Sequence, residues 1–181
     1  MDYTQHWSLI SFLLVAFVAH VVVGPRGSEM CRKKQVVQNS MVSLDVNVQL
    51  GGHVWIHVYG EQDRPSREKP VAGKSMFRNA EELGRIWTAW IRSNDITKAK
   101  CSKITDTYQE CIPIGTLASA HVTKMYKCTD VQSNECVDND GDKDIVAVRF
   151  SYAFKTVGKK KAKKSQWILN TAYPSENGNC E

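Results

Sequence analysis

The stretch that decides the fold is residues 146–173, VAVRFSYAFKTVGKKKAKKSQWILNTAY. Over residues 146–154 a large apolar side chain returns at every second position, and a second alternating set runs over residues 167–173. A period of two is typical of a β-strand with one face against a core. The stretch therefore predicts a long antiparallel hairpin whose second strand ends at Pro174.

Five lysines lie between the two predicted strands, and they are Lys159, Lys160, Lys161, Lys163 and Lys164. They would project from the tip of the hairpin. Such a cluster can be a solvated tip that prevents aggregation, or it can attract a polyanion. The chain has a net charge of +5, and its first 24 residues hold no Lys or Arg, so the basic character belongs to the remainder.

Three further segments precede the cysteine-rich part of the chain. Residues 44–50 alternate between apolar and polar side chains and predict a strand, which the pair Gly51 and Gly52 ends. Residues 60–73 are polar, with two prolines, and predict an exposed loop. Asn79 and Glu82 form a capping-box pattern before an apolar face of helical period, which predicts a helix over 80–93 with its tryptophans in the core.

The N-terminus predicts export. Residues 8–23 are an apolar run of about sixteen residues, short of the roughly 20 that span a bilayer as a helix. We expect a signal peptide over 1–24, with a retained anchor as the alternative, and a single domain over 25–181. The expected localisation is secreted, with no stable membrane span after removal of the signal.

The chain has six cysteines, all beyond this run, and an even number in an exported chain predicts up to three disulfides. No CxxC pair occurs, so a structural zinc site is not expected. Because four of them cluster over 101–136, we expect two local bridges there and a third between Cys31 and Cys180. Sequence alone does not choose among the connectivities.

Two histidines are the first candidates for chemistry. His53 and His57 are four positions apart, so they converge on one face of a helix, and an even spacing also places them on one face of a strand. Imidazoles can serve as general base and general acid near neutral pH, can bind a metal, or can simply pack. Thr171 and Tyr173 offer two hydroxyls on one side of the last predicted strand.

Three segments together resemble a known family. They are GGHVWIHVYG over 51–60, SMFRNAE over 75–81, and WILNTAYP over 167–174. Their order and spacing resemble the ribonuclease-A-like domains found at the C-termini of bacterial contact-dependent and polymorphic toxins. The resemblance implies an α+β fold, with N-terminal helical segments packed on a curved antiparallel β-sheet. The cysteine-rich region over 101–136 would be an insertion in that fold.

The resemblance also implies a metal-independent endoribonuclease with no cofactor, in which His53, His57, Thr171 and Tyr173 are catalytic. RNA is the expected partner, a proteinaceous inhibitor is a further candidate partner, and a monomer is expected. Family members commonly have basic residues where this chain has Ile56 and Glu61. The candidate substrate-binding cations in this chain are Arg64, which is the first choice, Lys74, Lys160 and Lys161.

Two other functions stay open. The chain can be a non-enzymatic, disulfide-stapled basic protein that binds a polyanion or a cell surface through its lysine run. It can also be a ribonuclease-like fold that has lost catalysis, with Ile56 and Glu61 as the marks of that loss.

Overall fold

The computed structural model describes residues 34–59, 68–98, 106–157 and 163–181. Outside these residues lie the predicted signal peptide over 1–24, the apolar run over 8–23, and Cys31, Arg64, Cys101, Lys159, Lys160 and Lys161.

The described elements mix short helices with antiparallel strands. The helices are α1 (Lys34–Asn39), α2 (Leu44–Gln49) and α3 (Ala80–Arg92), with 3₁₀ helices at Val54–His57, Asp95–Lys98 and Ile114–Ala120. The strands are β1 (Ser75–Met76), β2 (Thr107–Pro113), β3 (Lys124–Gln132), β4 (Glu135–Asn139), β5 (Lys143–Asp144), β6 (Ala147–Val157) and β7 (Lys164–Ser175). Within the described residues, no helix combines the length and the apolar character needed to cross a bilayer.

The predicted hairpin is confirmed. Strands β6 and β7 pair antiparallel from Ala147 and Ser175 to Val157 and Lys164, and β2 pairs with the other edge of β6. Of the lysine run, Lys163 and Lys164 belong to the described residues, and Lys164 begins β7 opposite Val157, the last residue of β6. Strand β7 runs to Ser175, one residue past the predicted stop at Pro174, because Ser175 still pairs with Ala147.

A β-bulge divides β7 into two parts. Tyr152 lies opposite Leu169 and Ser151 lies opposite Thr171, so Asn170 has no partner on β6. Paired residues lie on the same face of the sheet. One extra residue in a strand therefore moves the residues after it to the face opposite to the one that regular alternation would give them. Leu169 therefore faces the core, whereas Thr171 faces the opposite side, although an unbroken alternation would place both on one face.

The other strands form a second antiparallel sheet in the order β1-β3-β4, with β5 also paired to β3. Met76, Cys128 and Cys136 form a small core of their own beside it. The α+β class predicted from the sequence is confirmed. The described strands belong to two sheets, whereas the resemblance implies one.

Helix α3 is confirmed with the predicted cap. The Asn79 side chain accepts a hydrogen bond from the backbone N–H of Glu82 at 2.9 Å, and the Glu82 carboxylate accepts from the N–H of Arg78 at 3.1 Å. Trp90 stacks on Phe150 with ring centroids 5.6 Å apart. Both tryptophans of the helix, Trp87 and Trp90, are buried in the main core as predicted.

The strand predicted over 44–50 is wrong, because this segment forms α2. Ser43 caps the helix by accepting a hydrogen bond from the N–H of Val46. A strand would have buried Val46 and exposed Asn47, whereas the helix leaves Val46 38% exposed and buries Asn47 completely. The Asn47 amide donates to the backbone oxygen of Leu169 at 2.7 Å, which satisfies a polar group inside the core.

The predicted bridge between Cys31 and Cys180 is wrong, because Cys180 is bonded to Cys111. The bridge joins β2 to the segment that follows β7, so it fastens that segment to the edge of the hairpin sheet. A second disulfide, Cys128 to Cys136, joins β3 to β4 and is one of the two local bridges predicted over 101–136. The other predicted local bridge is wrong, because Cys111 is bonded to Cys180. No cysteine of the described residues is free.

Candidate active site

A cleft of about 440 Å³ opens between the 3₁₀ helix Val54–His57, the turn before β1 and the second half of β7. Five of the predicted site residues line it, and they are His53, His57, Lys74, Thr171 and Tyr173. Ile56, Gly73, Ser75, Asn170 and Glu181 also line it. The segments that meet here are far apart in the sequence, so the cleft is a product of the tertiary fold.

The two glycines before His53 have separate roles. Gly51 has φ of 88°, a left-handed conformation that glycine adopts without strain. A Cβ atom on Gly52 would lie 1.9 Å from Oδ1 of Asn47, so only glycine fits against that buried amide. The chain then enters the cleft, where the backbone N–H of His53 donates to the backbone oxygen of Asn170 at 2.6 Å.

The His53 ring is half exposed, with 51% of its side chain accessible. Its Nδ1 lies 3.1 Å from Oε1 of Glu68, a carboxylate that is completely buried. A substrate can therefore approach the open side of the ring while the other side is held by the protein.

His57 is buried beneath the cleft. Its Nδ1 donates to the backbone oxygen of Ser75 at 2.8 Å, which leaves the lone pair on Nε2. Its ring stacks on Tyr173, with centroids 4.9 Å apart. Burial lowers the pKa of His57 to about 4, helped by the positive charge of Lys74 and opposed by the bond to Ser75, so the imidazole is neutral at pH 7.

The bulge at Asn170 brings both predicted hydroxyls to the cleft. Oγ1 of Thr171 is buried and has no hydrogen-bond partner among the described residues. The Tyr173 hydroxyl donates to the backbone oxygen of Cys180 and accepts from the Arg149 guanidinium, both at 3.3 Å. Both bonds are long, so this hydroxyl can turn toward a ligand with little loss.

Three charged residues near the cleft are missing from the predicted set. Arg149 contacts Tyr173, and Lys155 donates to the backbone oxygen of Gly51 at 2.5 Å and to Oδ1 of Asn170 at 2.9 Å. The alternation of β6 already places both cations on the face away from the core, but only the bulge brings the hydroxyls to that face. The third is Glu68, and nothing distinguishes it in sequence from the other charges of the polar loop.

Of the predicted substrate-binding cations, Lys74 belongs to the described residues. It is exposed and lines the cleft. Arg64, Lys160 and Lys161 lie outside those residues. In the described part of the chain, no three His, Cys, Asp or Glu side chains come together as metal ligands. Compared with protein families, with curated proteins and with solved structures, the chain shows no match.

Proposed function

We propose that this protein is a secreted, metal-independent endoribonuclease. It cleaves RNA by attack of a 2′-hydroxyl on the adjacent phosphorus, which leaves a 2′,3′-cyclic phosphate and a free 5′-hydroxyl. The observation that supports this function best is the meeting of His53, Thr171 and Tyr173 in one cleft with an exposed lysine. A base, an unpaired hydroxyl, a proton donor and a cation are the groups that such a transfer needs.

His53 is the general base of the proposed reaction. Its Nε2 removes the proton of the 2′-hydroxyl while the new O2′–P bond forms, and the half-exposed ring is open to substrate on that side. DNA has no 2′-hydroxyl and is therefore not cleaved.

Tyr173 is the better of the two candidate acids. The P–O5′ bond breaks as the departing oxygen takes a proton, and the neutral His57 has its one N–H engaged by Ser75. The Tyr173 O–H is held by a long bond of 3.3 Å to the Cys180 backbone oxygen, so it can turn to the departing oxygen, and the Arg149 guanidinium beside it can donate to the phenolate oxygen that remains. His57 then supports the Tyr173 ring from below.

Thr171 and Lys74 stabilise the negative charge that builds on the non-bridging oxygens. The buried Thr171 hydroxyl, which no described residue bonds, is available to donate to an incoming phosphate oxygen. Lys74 supplies a positive charge at the mouth of the cleft. In this proposal Arg64 adds a second cation, and Lys160 and Lys161 attract the RNA backbone.

The fold and the biology of the family belong to the same proposal. We expect helical segments packed on a curved antiparallel sheet, a single domain over 25–181, and export after removal of residues 1–24. RNA is the substrate partner, an inhibitor protein is a candidate partner, and the protein acts as a monomer. The disulfide of Cys111 with Cys180 and that of Cys128 with Cys136 fit an oxidising compartment.

The test is cleavage of a short RNA by the oxidised, signal-free protein in EDTA. The same sequence with 2′-deoxy sugars and the His53→Ala variant are the controls, and mass spectrometry identifies the product ends. A cyclic phosphate formed from RNA alone, and lost in the variant, is the expected result, because a general base contributes about 10²–10⁴-fold in rate. Absence of cleavage by folded wild-type protein overturns the proposal.

The hairpin supports one second candidate function. Lys164 begins β7 and is exposed, as is Lys163 before it, so these two lysines of the basic run lie where β7 starts, opposite the end of β6. A non-enzymatic protein could bind a sulfated polysaccharide or an anionic membrane through this end. Heparin binding without RNA cleavage would favour that function, or a ribonuclease-like fold that has lost catalysis.

A further inference from the structure

Glu68 poses a problem that the proposed reaction leaves open. Its side chain is completely buried, and among the described residues its Oε1 has a hydrogen-bond partner, Nδ1 of His53, whereas its Oε2 has none. An isolated buried carboxylate strongly destabilises the folded state unless other charges or donors compensate it. Such a group at the edge of a cleft requires an explanation.

The surroundings of Glu68 supply part of the compensation. Burial lowers the pKa of Lys155, and the attraction between its ammonium group and the Glu68 carboxylate opposes that shift. Lys155 in turn donates to Gly51 and to Asn170, which hold the turn that bears His53. The His53 turn, the bulge and the buried carboxylate thus form one connected group.

We propose that Glu68 is the positioning residue of His53, which rests on the proposed ribonuclease function. Its carboxylate accepts the Nδ1–H of the ring and so selects the neutral tautomer with the lone pair on Nε2. The backbone bond from His53 to Asn170 fixes the start of the side chain, and the Glu68 bond fixes the ring itself. The open side of the ring then presents a base to the substrate and not a donor.

The geometry distinguishes this role from that of a simple loop anchor. A carboxylate that only anchors a loop could accept from any hydrogen-bond donor inside the protein. Oε1 of Glu68 instead contacts the ring of His53, a half-exposed side chain that lines the cleft. The Glu68 carboxylate contacts Nδ1, the nitrogen whose proton decides the tautomer.

Two variants test the role. Glu68→Leu removes the acceptor, and Glu68→Gln keeps an acceptor without the charge. Long-range ¹H–¹⁵N NMR of the His53 ring, recorded well above the usual His pKa of about 6.5, reports which nitrogen is protonated. We expect Nδ1–H in the wild type and a mixture in Glu68→Leu. In both variants kcat should fall by about 10²-fold or more with KM little changed, because the Gln amide can also donate to Nδ1 and favour the other tautomer.

Glu110→Leu is the matched control. Glu110 is also a largely buried carboxylate with one unpaired oxygen, but it bonds to Tyr108 and does not line the cleft. This variant should change stability and leave the His53 tautomer and kcat as they are. Unchanged tautomer in folded Glu68→Leu overturns the proposal, and if that variant does not fold, an unchanged kcat in Glu68→Gln does so.

The NMR result does not depend on catalysis. If the wild-type protein fails to cleave RNA, the proposed function fails, while the tautomer of His53 in the variants still decides whether Glu68 positions it. If RNA is cleaved and the tautomer does not respond, only the positioning role fails.

Discussion

The rings of His57 and Tyr173 stack with centroids 4.9 Å apart and 29° between their planes. The contact joins the 3₁₀ helix Val54–His57 to the last strand, and it forms the floor of the cleft. Because His57 is also bonded to Ser75 of β1, one buried imidazole connects three segments of the site. The position of the Tyr173 ring therefore depends on whether His57 stays buried and neutral.

Acid should destabilise the protein through His57. The unfolded chain binds a proton near the ordinary pKa of 6.5, whereas the folded state does so only near 4, so unfolding takes up a proton between these values. The free energy of unfolding should therefore fall as pH falls through this window, by about 3 kcal/mol in all. Urea denaturation at several pH values measures it.

His57→Asn tests the source of that loss, because the Asn amide can still donate to the Ser75 oxygen but does not titrate. Its free energy of unfolding should depend less on pH between 6.5 and 4 than that of the wild type. His121→Asn is the matched control, since His121 is exposed and Asn tolerates its left-handed backbone. An equal pH dependence in His57→Asn and the wild type would contradict the assignment.

Thr171→Val should separate stability from activity. The substitution removes a buried hydroxyl that has no hydrogen-bond partner in the described part of the chain, so the free energy of unfolding should stay the same or rise by about 1 kcal/mol. RNA cleavage should fall by about 10²-fold, because the hydroxyl would no longer donate to the charged phosphate oxygen. Denaturation and kcat measurements on the same preparation provide the comparison.

Thr156→Val is the control on the same hairpin, because the Thr156 hydroxyl bonds to Ser165 at 2.9 Å on the exposed part of the two strands. It should leave kcat unchanged. A Thr171→Val enzyme with full activity would remove Thr171 from the proposed mechanism.

The two disulfides should differ in their effect. Replacement of Cys111 and Cys180 by Ser removes a disulfide between residues 69 positions apart, which should lower the free energy of unfolding by roughly 4 kcal/mol in the chain-entropy model. Replacement of Cys128 and Cys136, which are 8 positions apart, should lower it by roughly 2–3 kcal/mol. The first change also frees the Cys180 backbone that contacts Tyr173. We expect the first double variant to lose more stability and to lose activity under native conditions, and the second to lose stability alone. Equal activities in the two folded variants would show that the bridge is not needed at the cleft.

Replacement of Lys160 and Lys161 should weaken RNA binding without abolishing cleavage. In the double Ala variant, the plot of the logarithm of the RNA association constant against the logarithm of the salt concentration should become shallower. Its slope should change by about 0.7 for each phosphate that the protein no longer neutralises. The kcat at saturating RNA should not change. The control is the double variant Lys124→Ala with Lys143→Ala, which removes the same amount of positive charge. Both of these lysines are ion-paired, Lys124 with Asp144 and Lys143 with Asp140. Equal slopes in the two double variants would refute a role for the run in binding RNA.

Local signals account for the elements that could be predicted. The cap at Asn79 and the helical apolar period act within one turn, and the alternation of β6 reflects the core beside it, so both are visible in sequence. Helix α2 could not be predicted in this way. Its polar Asn47 is buried because it bonds to Leu169, a residue that only the tertiary fold brings near.

The same distinction holds for the cleft. His53 and His57 could be singled out because their spacing is local, and Thr171 and Tyr173 because they lie two apart on one strand. Glu68 and Lys155 gain their place through contacts with residues from other segments. A sequence without the fold gives no reason to prefer them over other charged residues.

The bulge at Asn170 gives the site a residue that the pairing of β7 with β6 does not need. Deletion of Asn170 would leave Leu169 opposite Tyr152 and Thr171 opposite Ser151, so Thr171 and Tyr173 would still face the cleft. The protein would instead lose the backbone oxygen that accepts from the N–H of His53 and the side-chain oxygen that accepts from Lys155. In this hairpin, the loss of one residue would release the turn that bears His53 while leaving every proposed catalytic side chain in the chain.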